Sequence, residues 1–258
     1  DSNTATLTIS VSAVNDAPVA VNDSASTQED TAVAKDVVAN DTDVDNTNAQ
    51  LSVKPGSLSA TNGSASLDAD GRTIHFTPGA NLNDGNVDSA GFTVTYKTTD
   101  GSLDSNTATL TISVSAVNDA PIVDLNGIGS GIDFSGATFT EDGGPVSIVD
   151  PSVQVVDVDN ANLQGVQVTL TDPLDTAAES LDANTAGTLI TKSYSSLTGV
   201  LSLSGDDTKA HYQQVLATVT YNNASQFPHT QSRHVQFVAS DGTDVSAPAT
   251  STVAIVSV

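Results

Sequence analysis

The chain contains no cysteine, no methionine and no tryptophan, and aromatic residues make up 4% of it. Without cysteine there is neither a disulfide framework nor a thiolate metal site. A small β-rich module of this composition therefore needs another staple, and a divalent metal is the first candidate. Positive charge is scarce as well: 7 Lys and Arg face 31 Asp and Glu, a formal net charge of -24. That balance excludes nucleic acid as a partner. No apolar run approaches the roughly 18 residues of a transmembrane helix, so no membrane insertion is expected. The first residues are polar strand sequence without a charged-then-apolar leader, which reads as an internal piece of a longer chain.

What the sequence does have is aspartate, threonine and repetition. All acidic residues other than Glu29, Glu141 and Glu179 are Asp. The segment DSNTATLTISVSAVNDAP, Asp1 to Pro18, recurs unchanged from Asp104 to Pro121. The separation is about 100 residues, the length of one β-sandwich domain. This spacing divides the chain into four parts: residues 1–18, the last strand and linker of a preceding repeat; 19–117, a first domain; 118–121, an inter-domain linker; and 122–258, a second, longer domain.

Within the repeated segment Ala5, Leu7, Ile9 and Val11 alternate with Thr4, Thr6, Thr8 and Ser10, and the copy from Thr107 to Val114 does the same. That period predicts a strand with one buried face in each copy. Phe92, Val94, Tyr96 and Val235, Phe237, Ala239 carry the same signal. Asp70-Gly71, between Ala65 to Leu67 and Ile74 to Phe76, predicts a hairpin. Short strands with frequent turn signals predict an all-β fold of two tandem sandwiches. One stretch departs from it. Thr208 to Val219 places Tyr212, Val215, Leu216 and Val219 at helical spacing behind Asp207, predicting a short helix in the second domain with Asp207 as its N-cap.

The acidic residues recur in order. DVDN stands at Asp43 to Asn46 and again at Asp157 to Asn160; Glu29-Asp30 and Glu141-Asp142 lie upstream; Asp100-Gly101 and Asp241-Gly242 precede the last strand. A DxD at a bent strand end brings two hard oxygen donors near one point, and Asn adds an amide oxygen, a donor set suited to Ca2+. Singly, an Asp-Gly is a turn and a Glu-Asp a solvated strand end. Their shared order in both domains favours the metal.

On these residues the chain resembles the cadherin-like (Ig-like, Greek-key) tandem repeats of large type I secreted bacterial adhesins of the RTX class and of animal cadherins. The resemblance implies calcium at each joint, held by the base of one domain, the linker, and the DxD and late Asp of the next. For the middle joint it implies Glu29, Asp30 and Asp84 from the base, Asn118 and Asp119 from the linker, and Asp157, Asp159 and Asp241, with Asn160, from the second domain. For the earlier joint it implies Asn15, Asp16, Asp41, Asp43, Asp45 and Asp100. Glu141 would serve a joint beyond Val258. The longer linker motif and the Asp-Arg-Glu of animal cadherins are not spelled out in this sequence.

The resemblance further implies a monomeric extracellular, cell-surface spacer whose partners are neighbouring repeats of the same chain, any glycan or cell-surface ligand being met through other domains. A calcium-dependent lectin-like module is the alternative. No enzyme is expected, because the Ser and Asp residues sit in repeat positions and no nucleophile stands with a positioned base. The alternating Thr residues read as strand formers showing hydroxyls to water. His75, His211, His229 and His234 lack paired spacing for zinc and read as surface residues.

Overall fold

A computed structural model of the chain describes residues 1–127 and 129–258. It divides into two compact units, Asp1–Val117 and Asn118–Val258. The strands of the first are β1 (Asp23–Gln28), β2 (Val33–Asp36), β3 (Ser52–Val53), β4 (Ser59–Thr61), β5 (Gly63–Leu67), β6 (Thr73–Pro78), β7 (Phe92–Tyr96), β8 (Thr98–Thr99) and β9 (Ala108–Ser115). They form a four-stranded sheet in the order β1-β9-β7-β4, a three-stranded sheet β2-β6-β5 and a β3-β8 pair. The first strand lies parallel to the last, from Asp23 opposite Leu110 to Gln28 opposite Ser115. The expected hairpin joins β5 to β6. In its turn the Asp70 carboxylate accepts from the Arg72 amide and from the amide and hydroxyl of Thr73, which hold its pKa down at about 2.

The inward residues of these strands build one core, in which Phe76 meets Phe92 edge to face at 6.2 Å. Tyr96 is buried with them, and its phenol donates to Asp23 Oδ2 at 2.7 Å, with the Val21 and Val37 carbonyls alongside. Burial pushes this phenol's pKa up, and so does the Asp23 carboxylate that it faces. Replacing Tyr96 with Phe leaves that carboxylate short of its donor inside the sandwich. The substitution should cost the first unit about 1–3 kcal/mol in denaturant unfolding, whereas the second unit's transition should not move.

The repeated segment adopts two conformations. In its second copy Leu110, Ile112 and Val114 are at most 2% exposed inside β9. In its first copy the same three residues, Leu7, Ile9 and Val11, are 83%, 74% and 88% exposed, and residues 1–14 form no strand. The strand expected at Thr4 to Val11 is thus absent here. β9 is flanked by β1 and β7, whereas residues 1–14 pair with no other described strand.

The second unit contains β10 (Ile122–Asp124), β11 (Phe134–Thr140), β12 (Val146–Ser147), β13 (Gln154–Val156), β14 (Asn162–Leu170), β15 (Glu179–Asp182), β16 (Thr191–Ser195), β17 (Val200–Thr208), β18 (Thr220–Asn223), β19 (Arg233–Ser240) and β20 (Ala249–Val256). A six-stranded sheet β11-β20-β19-β14-β17-β16 faces a three-stranded sheet β12-β18-β15 across a single core, with a β10-β13 pair beside them. Here the last strand pairs in parallel with β11, the second strand of the unit.

The predicted helix is α1, Lys209–Leu216, and it buries Tyr212, Val215 and Leu216. Its N-cap is Thr208 and not Asp207: the Thr208 hydroxyl accepts from the His211 amide at 3.2 Å. Asp207 instead accepts from the amides of Leu189 and Thr208 and pairs with the His211 ring.

A charged network lies inside this unit. Arg233, with no exposed surface, donates to Glu179, itself shielded from solvent, and to Asp175 at 2.8 Å. Tyr221 donates to Glu179 at 2.7 Å, and Asn223 and His229 bond to Asp175. One guanidinium thereby joins the 171–178 loop, β15, β18 and β19.

Candidate metal centre

In the first unit the DVDN segment bends because Asp43 Oδ1 accepts from the amides of Asp45 and Asn46, both at 2.8 Å. This is a side-chain-closed turn, and it lets Asp43 and Asp45 serve one locality despite their alternation. Asp45 Oδ2 accepts from the Asp16 amide at 2.8 Å, and Asn15 donates to Asp100 Oδ2 at 2.6 Å. Two linked groups result, Asp16 with Asp45 and Asp43, and Asn15 with Asp100. Asp100 closes its own turn on the amides of Leu103 and Ser102; these bonds, with that from Asn15, hold its carboxyl below the usual carboxylate range.

Asp41 uses one oxygen elsewhere, while its Oδ2 is buried and accepts no hydrogen bond. Its Oδ1 accepts from the Val21 amide at 2.8 Å, and burial raises its pKa against the opposing effect of that amide and the Thr98 hydroxyl. It braces the chain that follows Pro18.

The second unit repeats the turn. Asp157 Oδ1 accepts from the amides of Asp159 at 3.0 Å and Asn160 at 2.7 Å, and Asp159 Oδ2 accepts from the Asp119 amide at 2.7 Å. Asn118 donates to Asp241 Oδ2 and to Asp244 Oδ2, each at 2.8 Å, and Asn160 donates to the side-chain oxygen Oδ1 of Asn118 at 2.9 Å. Burial alone would raise the Asp241 carboxyl, but bonds from Asn118 and from the Asp244 and Thr243 amides hold it below the usual range. Asn118, Asp119, Asp157, Asp159, Asn160 and Asp241 are therefore brought together.

In both units the turn aspartate has an oxygen left over. Asp43 Oδ2 and Asp157 Oδ2 are buried and accept no hydrogen bond. A buried acceptor without a donor costs about 1–3 kcal/mol, more when charged, so its recurrence in two diverged units needs a compensating partner. Among the described residues no group of three or more His, Asp and Glu side chains closes by itself into a metal cage. The side chains linked to each turn by hydrogen bonds are carboxylates and Asn amides, whose oxygens suit a hard cation such as calcium and do not suit zinc or copper.

Glu29 and Glu141 occupy equivalent places at the exit of their own units. The Glu29 amide donates to the Ser115 carbonyl at 3.0 Å, and the Glu141 amide to the Val256 carbonyl at 2.9 Å. The Glu29 carboxylate accepts from the Val117 amide at 2.6 Å, as that of Glu141 does from the Val258 amide at 3.0 Å. The next residues, Asp30 and Asp142, take left-handed φ angles of 56° and 60°, a conformation that Asp tolerates. Asp30 accepts from the Asn81 amide, and Asp84 Oδ2 from the Val114 amide at 3.1 Å.

Three residues escaped the sequence reading. Asn83 bonds both Glu29 oxygens; Asp244 shares Asn118 with Asp241; Lys209 donates to the Asp157 carbonyl at 2.5 Å. Only Asp244 carried a signal, as a second acid in the DGTD turn. Each of the four histidines is paired with an aspartate at the surface of its unit.

Residues 15–116 match the family described as a bacterial cadherin-like domain. No curated protein matches the chain. Among solved structures it is similar to human CDH23 EC21-23, with 17% identity over 93% of this chain and 70% of that one and a TM-score of 0.39. It is also similar to human mucin-like protocadherin EC1-2, with 13% identity over 93% of this chain and 98% of that one and a TM-score of 0.36.

Proposed function

We propose, taking the match of residues 15–116 to a bacterial cadherin-like domain as the premise, that the chain is a calcium-stiffened spacer of an extracellular, cell-surface adhesin of the type I secreted RTX class. Its two units serve as consecutive links in a longer array. The observation that carries the calcium assignment is the orphaned carboxylate oxygen at the same turn position in each unit, Asp43 Oδ2 and Asp157 Oδ2.

Asp43, Asp45, Asp100 and the linker residues Asn15 and Asp16 would hold calcium at the entrance of the first unit. Asp157, Asp159, Asp241, Asn118 and Asp119 would hold it at the entrance of the second, and Glu29 and Asp84 would act as the contribution of a preceding link. Bound calcium supplies positive charge among clustered carboxylates that otherwise repel one another. The chain's own residues do the rest: the Asp43 and Asp157 turns preset the donor oxygens, and Pro18 and Pro121 narrow the linker backbone. Extracellular calcium modules bind at about 0.1–1 mM, so the linkers would be slack in the cytosol and stiff outside the cell.

Calorimetric titration of the Asp43→Asn, Asp157→Asn double variant tests the assignment. The neutral amides keep the side-chain size, so calcium affinity should fall by about tenfold or more per site, and unaltered binding would overturn the reading. The lectin alternative has little to stand on. Among the described residues Phe227, 89% exposed, is the only aromatic side chain standing fully in solvent, and sugar platforms use several. Calcium-dependent signal on a glycan array would reverse that preference.

A further inference from the structure

One charged contact at the second acidic centre has no equivalent at the first. Lys209 Nζ donates to the Asp157 carbonyl at 2.5 Å, on the same residue whose Oδ2 is buried and orphaned. The Asp43 turn of the first unit is bonded by the Asp45 and Asn46 amides and the Asn46 side chain, and among the described residues no lysine or arginine bonds to it. We infer, resting on the reading that these centres take calcium, that Lys209 tunes the second one. Its ammonium offsets the carboxylates when no cation is bound and lowers their affinity for a divalent one.

An added element carries Lys209 to this place. It is the first residue of α1, and no α-helix stands among the first unit's described elements. The helix is fixed by burial of Tyr212, Val215 and Leu216, by the Thr208 cap and by packing against β13, the strand that leads into Asp157. The Lys209 amide also donates to the Ala161 carbonyl at 3.3 Å, just past the turn. Backbone and side chain of one residue therefore grip both ends of the Asp157–Asn160 segment. A lysine in the first turn stands at the positive end of the helix dipole, the less favourable end for a cation. Its position is explained by the acidic turn that it bonds and not by the helix.

The other cations of this unit are committed elsewhere. Lys192 pairs with Asp182, and Arg233 with Glu179 and Asp175. In the first unit Lys35, Lys54 and Arg72 pair with Asp23, Asp104 and Asp36, none of which belongs to the Asp43 turn. Lys209 is thus the one cationic side chain of the second unit that bonds to the centre holding Asp157, Asp159 and Asp241.

Two opposite effects follow from this one charge. With no metal bound, a fixed positive charge reduces the mutual repulsion of the neighbouring carboxylates, and the turn tolerates its buried oxygen. A divalent cation approaching the same carboxylates is repelled by it, and a loss of about tenfold in affinity is the scale for such charges at a partly solvated site. A mere brace would act differently, since removing it would weaken the loaded and the metal-free forms alike. Lys209 thereby holds the second centre together in low calcium and raises the concentration at which it fills.

The test uses the full chain carrying Asp43→Asn, so that calorimetric titration with calcium reports the second centre. Lys209→Met keeps the apolar stem and removes the charge, whereas Lys209→Arg keeps the charge. Lys209→Met should bind calcium about tenfold more tightly, and yet its second unit should melt at a lower temperature in chelator; Lys209→Arg should match the parent in both. At about 1 M salt, where screening shortens to about 3 Å, the gain in affinity should shrink to about twofold or less. Equal or weaker calcium binding by Lys209→Met, or a gain that salt leaves intact, overturns the inference and spares the calcium reading. No binding by the parent, with Asp43 restored as well as replaced, overturns that reading and the inference with it.

Discussion

Returning calcium to the chelated chain at about 10 mM should stabilise each site by about 1.4–2.7 kcal/mol, if the sites have the 0.1–1 mM affinities usual for extracellular modules. For units of this size that is a rise in melting temperature of roughly 5–12 °C. Scanning calorimetry before and after chelation reads it directly. The gain arises because acceptors that now lack a donor, Asp43 Oδ2 and Asp157 Oδ2, would acquire a cation, and because Asp45, Asp100, Asp159 and Asp241 would lose the repulsion of their neighbours. Scattering should show a smaller radius of gyration in calcium. A melting curve and scattering profile indifferent to chelation would remove calcium from the account of this chain.

Replacing Arg233 with Ala should cost the second unit about 3–5 kcal/mol, the usual penalty for stripping one partner from a buried ion pair. Glu179 and Asp175 would remain inside with their charges and without the guanidinium that joins them, and the Tyr221 and Asn223 donors cannot neutralise two carboxylates. Arg233→Lys should recover little, because a single ammonium cannot reproduce the fork that reaches both acids. Since every partner lies in the second unit, the first unit's calorimetric transition should stay in place. A loss below about 1 kcal/mol would mean that water enters and solvates the acids, and the network would then be peripheral to stability.

Much of this architecture could be read from the letters where the physics is local. The turn at Asp70-Gly71, the helix carrying Tyr212, Val215 and Leu216, and the alternation of β9 all follow from periodicity and turn chemistry over a few residues. The repeated segment marks the limit of that kind of reading. One sequence gives a buried strand at 108–115 and no strand at 1–14, because a strand is a property of neighbours as well as of residues. The N-cap moved by one position for a similar reason: Asp207 is claimed by the Leu189 amide, which is distant in sequence, and that leaves Thr208 to cap.

The acidic positions were legible in type and order and less so in aim. Asp41 continues the alternation of Asp43 and Asp45 but is turned to the Val21 amide, a contact that no spacing rule announces. Asn83 beside Glu29 and Lys209 on the Asp157 carbonyl come from remote loops and elements. The Arg233 network was invisible for the same reason, since its members are scattered from Asp175 to Arg233 with no periodic relation.

The parallel pairing of first and last strands has a consequence for a molecule that is pulled. In the first unit the strand nearest the entrance, β1, lies beside the strand nearest the exit, β9, and runs in the same direction; in the second, β11 lies so beside β20, behind the short antiparallel β10-β13 pair. Tension applied through the two ends slides such strands along each other. The evenly spaced bonds of a parallel ladder then bear the load together, and none can be peeled off ahead of the rest. An antiparallel pair pulled from adjacent ends would open like a zipper, one bond at a time. The first unit is thus arranged to resist shear along its own chain direction, a property that depends on strand order and not on any single side chain.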